Sequence, residues 1–392
     1  MKSTVSWTTT EGLPPVSVHS PTHPALRPGV LQNLTLPNRY VVAPMSRASA
    51  TDNGVPTEAM AHYYARFATG GFGLIIAEGA YTDPCYAQAY GNQPGLCTDA
   101  QQAGWKVVTE AVHRAGGRII LQLIHAGAVS QVVNTPHAPS AVRPMGKMLD
   151  GYGPNRGPYG TPTEMSAQDI RDVKAGFVQA AVRAQSAGFD GVEVHCANGY
   201  LLDQFLTPET NLRDAPYGGS IENRIRLTAE IITDIRAATA GDFLTGVRLS
   251  QAKATQPDYF WQGGLADAAR IFSAVAEAGA GFIHFASEKK GYAYHSSTSD
   301  GESLCHFARA TTGLPVIANG GLQDPDLAHD VLTRGEADFL AIGKAAMNNP
   351  DLPNRLATGR QPEAFTYELF SYGVSIEGQA KWEGERRGLP QS

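Results

Sequence analysis

The chain has 392 residues, 42% of them hydrophobic and 17% charged, with 42 Gly and 25 Pro, which describes a globular, loop-rich protein able to bury a large core. Its 31 Lys plus Arg against 37 Asp plus Glu give a formal charge of −6, and without a basic run to neutralise a phosphate backbone, nucleic acid is not an expected partner. Cys85, Cys97, Cys196 and Cys305 lie far apart with no C-x-x-C pair, so neither a zinc site nor a disulfide framework is expected and no metal is assigned.

Residues 1–30 are rich in Pro, Ser and Thr and read as an extended arm with no core of its own. They lack the basic start and apolar stretch of a signal peptide, and no apolar run approaches the ~18 residues of a membrane span, so a cytoplasmic protein without membrane contact is the expectation.

From residue 31 onward, eight short apolar runs recur: YVVAP (40–44), FGLIIAE (72–78), RIILQLI (118–124), DGVEVH (190–195), FLTGVRLS (243–250), GFIHFA (281–286), PVIAN (315–319) and DFLAIG (338–343). They are continuously apolar, as parallel strands buried on both faces are, whereas half-exposed strands alternate. Helix-length amphipathic segments lie between them. One spans 166–187 behind a capping pattern of Ser166 and Asp169, one spans 220–240 from Ser220, one spans 264–279 up to Gly279, and one spans 324–334 up to Gly335. Eight strand–helix units predict a (β/α)8 TIM barrel, one domain over residues 31–353, and the first βα turn carries no G-x-G-x-x-G that would favour a doubly wound sheet. The Pro- and Gly-rich stretch 126–163, after the third strand, predicts an extended loop over the barrel mouth. Residues 354–392 form a polar tail to which the sequence assigns no role.

In such a barrel the reactive groups come from the C-terminal strand ends. These ends carry Pro44-Met45-Ser46, Glu78-Gly79, Gln122 with His125, His195 with Asn198 and Tyr200, Arg248 with Ser250, Ser287, Asn319-Gly320-Gly321 and Gly343-Lys344. His195 and Asn198, three apart where a strand ends, can present two neutral donors to one carbonyl oxygen and stabilise charge developing there. Equally, they can satisfy backbone groups at a strand end. A His-based metal site lacks a carboxylate at ligand spacing. The glycines after the last two strands can admit a phosphate to backbone N–H groups, with Lys344 adding charge, or can simply make tight turns. Arg248, alone at a barrel mouth, suits a ligand anion or a carboxylate partner.

Taken together, PMSR (44–47), LIIAEG (74–79), LQLIHAG (121–127), TEMS (163–166), AGFDGVEVHCANGYLLDQFL (187–206), NLRDAPYGGSIENR (211–224), VRLS (247–250), NGG (319–321) and GK (343–344) resemble the Old Yellow Enzyme family of FMN-dependent ene reductases, in its His/Asn variant. The resemblance implies bound FMN, reduction by NADPH or NADH, and hydride transfer to an activated alkene such as an enone, enal, maleimide or nitroalkene. It implies that His195 and Asn198 hold the substrate oxygen and that Tyr200 protonates the α-carbon. It places Ala43, Pro44, Met45, Ser46, Gly79, Gln122 and Arg248 against the flavin ring and ribityl chain. It places Asn319, Gly320, Gly321, Gly343 and Lys344 at the phosphate end.

Three positions depart from the family pattern: Ser46 stands where Thr or Cys is usual, Ala128 where Arg is frequent, and Lys344 where Arg is usual, which removes a bidentate fork from the phosphate site. A flavin-independent barrel aldolase or isomerase and a non-turning-over flavin protein are the rival readings. The first needs a Schiff-base lysine, and Lys344 is the sole strand-end candidate. A monomer or homodimer is expected.

Overall fold

A computed structural model of the chain describes residues 23–287 and 290–386. Eight parallel strands close into one barrel: β1 Tyr40–Val42, β2 Leu74–Tyr81, β3 Ile119–Ile124, β4 Gly191–Asn198, β5 Leu244–Lys253, β6 Ile283–Phe285, β7 Val316–Asn319 and β8 Phe339–Ile342, in spatial order β6-β7-β8-β1-β2-β3-β4-β5. Each falls on one of the eight apolar runs, and every residue in these strands is buried. An outer ring follows: α1 Glu58–Thr69, α2 Asp99–Arg114, α3 Ala167–Ser186, α4 Ile221–Ala238, α5 Gly264–Glu277, α6 Leu304–Thr312, α7 Pro325–Thr333 and α8 Leu352–Ala357.

Local chemistry sets these boundaries. Ser166 and Asp169 form a reciprocal capping box that starts α3, and Asp324 accepts from the backbone N–H groups of Asp326 and Leu327 to start α7, where Pro325 lacks an N–H to lose. Inside the barrel, Gly246 on β5 is obligatory, because a Cβ there would stand 2.1 Å from the Phe282 ring.

The lower barrel is filled by Val41, Leu74, Ile76, Ile120, Leu244, Phe282, Ile317 and Phe339, together with Leu31 and Leu36 of a hairpin, Gly29–Leu31 with Leu34–Leu36. Ala25 is fully buried in the main core and its carbonyl accepts from Arg39 N, so packed structure begins ahead of Leu31, inside the expected arm; residues 1–22 of that arm lie outside the described residues. No helix among the described residues is long and apolar enough to cross a membrane.

The stretch 126–163 is tied down at several points. His137–Ala138 pairs with Thr163–Glu164, Lys147 bridges Pro158, and Gly91 N donates to Tyr152 O. The C-terminal segment folds back onto the barrel, with a 3-10 turn, Tyr367–Phe370, and a helix α9, Ile376–Arg386. Leu369 and Trp382 pack with Met347 and Met45.

Arg47, five residues past the end of β1 and fully buried, fastens this segment. Its guanidinium donates to Gln379 Oε1 (2.6 Å), Ser375 O (3.1 Å) and Val374 O (3.2 Å) and lies over the Tyr63 ring. Arg47→Met would leave these acceptors without their donor, and should cost about 2–3 kcal/mol of stability. It should also make the chain near Val374 the first site of limited proteolysis; an unchanged cleavage pattern and melting temperature would show that the anchor lies elsewhere.

Candidate active site

The strand ends meet at one mouth. Pro44, Met45 and Ser46 are half-buried there, after Ala43 closes the β1–β8 pairing through Ala43 N to Ile342 O. Gly79 sits in an irregularity of the β2–β3 pairing; a Cβ on it would press on Ile124 Cγ2 at 2.9 Å and on Gln122 Oε1 at 3.3 Å. Glycine therefore keeps the backbone open beside the Gln122 amide.

Glu78, the residue before it, is fully buried. It accepts from Arg47 N (2.9 Å) and from Tyr64 Oη (3.0 Å). Burial pushes its carboxyl up to about 7, against the opposing pull of the Arg47 N–H, the Tyr64 hydroxyl and the Arg47 charge.

On β4 the register slips between Cys196 and Asn198, and Asn198 adopts a left-handed backbone with φ of 61°. Such a bulge re-aims the side chains of a strand end, and Asn tolerates this conformation better than most residues. The turn is held from behind: Asn198 N donates to Ser250 Oγ (2.8 Å), and Gly199 N donates to Asp203 Oδ2 (2.7 Å). Asp203 is itself buried and paired with Lys253 at 2.5 Å.

His195 is almost fully buried, with its ring centroid 5.1 Å from that of Tyr200. Burial, then the charge of Arg248, then His284 hold its pKa well below the usual histidine range, so it is a neutral imidazole. Its Nδ1 has no hydrogen-bond partner among the described residues.

Tyr200 shares a hydrogen bond with the hydroxyl of Tyr90, a buried residue that the sequence reading did not select. Burial, then the neighbouring Tyr200, raises the Tyr90 pKa well above the ordinary tyrosine value. Tyr152 of the long loop packs on Tyr90 with centroids 4.9 Å apart.

Arg248, from β5, is 7% exposed, its Nε has no hydrogen-bond partner, and it forms no ion pair with a carboxylate among the described residues. At the far side of the mouth, Gly320 has φ of 116° and a Cβ would meet Ser287 Cβ at 2.6 Å, whereas Gly321 borders open space and a Cβ on Gly343 would rest against Met45 Sδ at 3.8 Å. Asn319 is spent on the scaffold: its amide donates to Ala341 O at 2.8 Å and its Oδ1 accepts from Ser287 N at 3.4 Å. Lys344 is exposed, and its Nζ donates to Tyr367 Oη at 2.9 Å beside the Phe365 ring. The C-terminal segment thus reaches the cationic end of the mouth. His125 is held away from it, accepting from Gly127 N (3.0 Å) and facing Asp83 (3.2 Å).

Residues 26–363 match the model of the NADH:flavin oxidoreductase / NADH oxidase family. The structure superposes on the Old Yellow Enzyme homologue from Zymomonas mobilis with a TM-score of 0.81 at 30% identity, covering 91% of this chain and 99% of that one. The chain belongs to the Old Yellow Enzyme family. Morphinone reductase matches with a TM-score of 0.81 at 33% identity over 93% of this chain and 96% of its own. Flavin oxidoreductase hxnT of Emericella nidulans is 34% identical over 91% of this chain and 96% of its length. NADH oxidase of Thermoanaerobacter brockii is 33% identical over 86% of this chain, which spans only 51% of that longer relative.

As a member of this family the protein is an NAD(P)H-dependent flavin oxidoreductase of the ene reductase type, with FMN as its cofactor. The mouth fits that group. A buried cation without a carboxylate partner among the described residues, and glycines where a Cβ would crowd the cradle, are what an anionic, planar ligand requires.

Glu78 gives the site a measurable titration. Its carboxyl ionises near pH 4.5 when solvated but stays protonated in the fold to about pH 7. The native state therefore binds the extra proton between those values and loses about 3 kcal/mol of stability as pH rises through them. Glu78→Gln cannot ionise, so the difference in unfolding free energy between variant and wild type should grow in the variant's favour from pH 5 to 8; a constant difference would refute the shifted carboxyl.

Proposed function

We propose that the protein reduces the C=C bond of α,β-unsaturated ketones, aldehydes, imides or nitroalkenes, with His195 and Asn198 holding the activating oxygen and Tyr200 supplying the proton. The observation that carries this reading is a neutral His195 beside Asn198 and Tyr200 on one β4 turn, facing the mouth that Arg248 enters. FMN, when reduced by NAD(P)H, supplies the hydride that adds to the β-carbon.

Every other task falls to the chain. Neutral N–H donors from His195 and Asn198 bind a carbonyl or nitro oxygen weakly in the ground state and more strongly as negative charge collects on it, which lowers the barrier. Tyr200 delivers its hydroxyl proton to the α-carbon. With Tyr90 donating to the Tyr200 oxygen, one of the two directions this hydrogen bond allows, the bond would steady the phenolate formed when the Tyr200 proton departs. The raised pKa of Tyr90 keeps it a donor throughout.

Arg248 and Gln122 would hold the pyrimidine end of the flavin, and Ala43, Pro44, Met45, Ser46 and Gly79 would line its ring. Gly321 and Gly343 would admit the phosphate, with Gly320 shaping the turn and Lys344 adding charge from the rim. Asn319 supports this end by joining β7 to β8.

Three variants test the roles. Tyr200→Phe should slow alkene reduction about 10²-fold or more while sparing flavin reduction by NAD(P)H, and Tyr90→Phe should slow the same half-reaction to a smaller degree. Rapid-mixing absorbance of each half-reaction separates the outcomes, and equal damage to both halves would overturn the proton-donor role. His195→Ala with Asn198→Ala should abolish the long-wavelength charge-transfer band formed with phenols while FMN stays bound. A persisting band would place the oxygen-binding groups elsewhere.

A further inference from the structure

Below the mouth lies a buried pair, Glu193 and His284, that none of these steps uses. Glu193, on β4 and fully buried, accepts from Gln122 Nε2 at 2.7 Å through one carboxylate oxygen and from His284 Nδ1 at 2.7 Å through the other. His284, on β6, is also fully buried. Burial lowers its pKa, Glu193 raises it and the charge of Arg248 lowers it again, leaving a depressed pKa and a neutral ring with its proton on the nitrogen facing Glu193.

A carboxylate only accepts, so it dictates which way the Gln122 amide turns. The NH2 faces Glu193, and Oε1 is sent toward Gly79, 3.3 Å from where a Cβ would stand. The cost of this arrangement is high for packing alone. Glu193 has no Lys or Arg within 4 Å among the described residues, and a buried carboxylate held by neutral donors is less favourable than an apolar side chain of similar volume.

We propose that Glu193 is a positioning residue for the flavin site. Its carboxylate locks Gln122 with Oε1 as an acceptor toward the N3–H edge of the bound flavin, and its fixed negative charge offsets Arg248, which lies on the strand between β4 and β6. Arg248 then stabilises negative charge on the reduced ring less than it would alone. Removing the carboxylate should raise the flavin midpoint potential and loosen FMN.

This inference rests on the FMN site proposed above, and wild-type protein that cannot be loaded with FMN would defeat that reading first. The test compares wild type, Glu193→Gln and His284→Gln, measuring FMN dissociation, midpoint potential and apoprotein melting. Glu193→Gln is expected to weaken FMN binding about tenfold or more and to raise the potential. His284→Gln, which keeps both the carboxylate and a donor to it, should leave the potential near wild type. If both variants only lower the melting temperature and leave potential and FMN affinity unchanged, Glu193 is a core residue and the proposal fails. Should Glu193→Gln not fold, resonance Raman of wild-type holoenzyme in H2O and D2O decides: a hydrogen-bonded flavin N3–H supports the locked amide, and an unbonded N3–H overturns it.

Discussion

A barrel closed by eight parallel strands leaves its interior no access to water except at the two ends, so a polar side chain inside it must be satisfied by neighbours or by a ligand. Most of this molecule's site chemistry follows from that constraint. At the lower end the question does not arise, because Phe282, Phe339 and the hairpin leucines fill the space. Toward the upper end polar groups enter, and each is settled differently. Glu193 is answered by Gln122 and His284, Glu78 by Arg47 N and Tyr64 together with a raised pKa, and Arg248 by no carboxylate among the described residues. The contrast locates the ligand: the interior compensates its own anions and leaves a cation for something else.

The same constraint makes the mouth sensitive to what covers it. Arg47 joins the end of β1 to the C-terminal helix, and its backbone N–H also holds Glu78, the residue before Gly79. Tyr152 of the long loop rests on Tyr90, whose hydroxyl meets Tyr200. Two coverings of unrelated sequence thus touch the two halves of the mouth, one on the side of the β1 and β2 ends and one beside Tyr200.

How much of this was legible in the sequence depends on the range of the signal. The eight strands could be placed because continuous apolar runs such as RIILQLI leave a local trace, and the α3 start because Ser166 and Asp169 cap it within one turn. The candidate residues His195, Asn198, Tyr200 and Arg248 could be picked out because barrel geometry reserves strand ends for chemistry. The bulge that gives Asn198 its φ of 61° depends on Ser250 and Lys253 of another strand and leaves no pattern within β4. Tyr90 was missed because its partner is 110 positions away, and the C-terminal helix because Arg47 meets Gln379 across 332. In Gln93, which ties Gly79 O to the Tyr90 loop, a small clue existed: an uncharged amide in a Gly- and Pro-rich loop often serves to satisfy backbone.

The neutrality of His195 then explains a division of labour. An imidazolium beside Arg248 would place two cations at one mouth, and the Arg248 charge is one of the causes that hold the His195 pKa down. Burial and, after it, the Arg248 charge keep His195 neutral, and in the proposed reaction such a donor would bind an uncharged carbonyl without drawing carboxylates or phosphates into the pocket. In the proposed reaction the formal positive charge would stay with the flavin site, where negative charge builds on reduction, and the substrate oxygen would meet only neutral donors. One buried cation would then serve two sites with opposite needs, and Glu193, its proposed counterweight, lies on the same strand as His195.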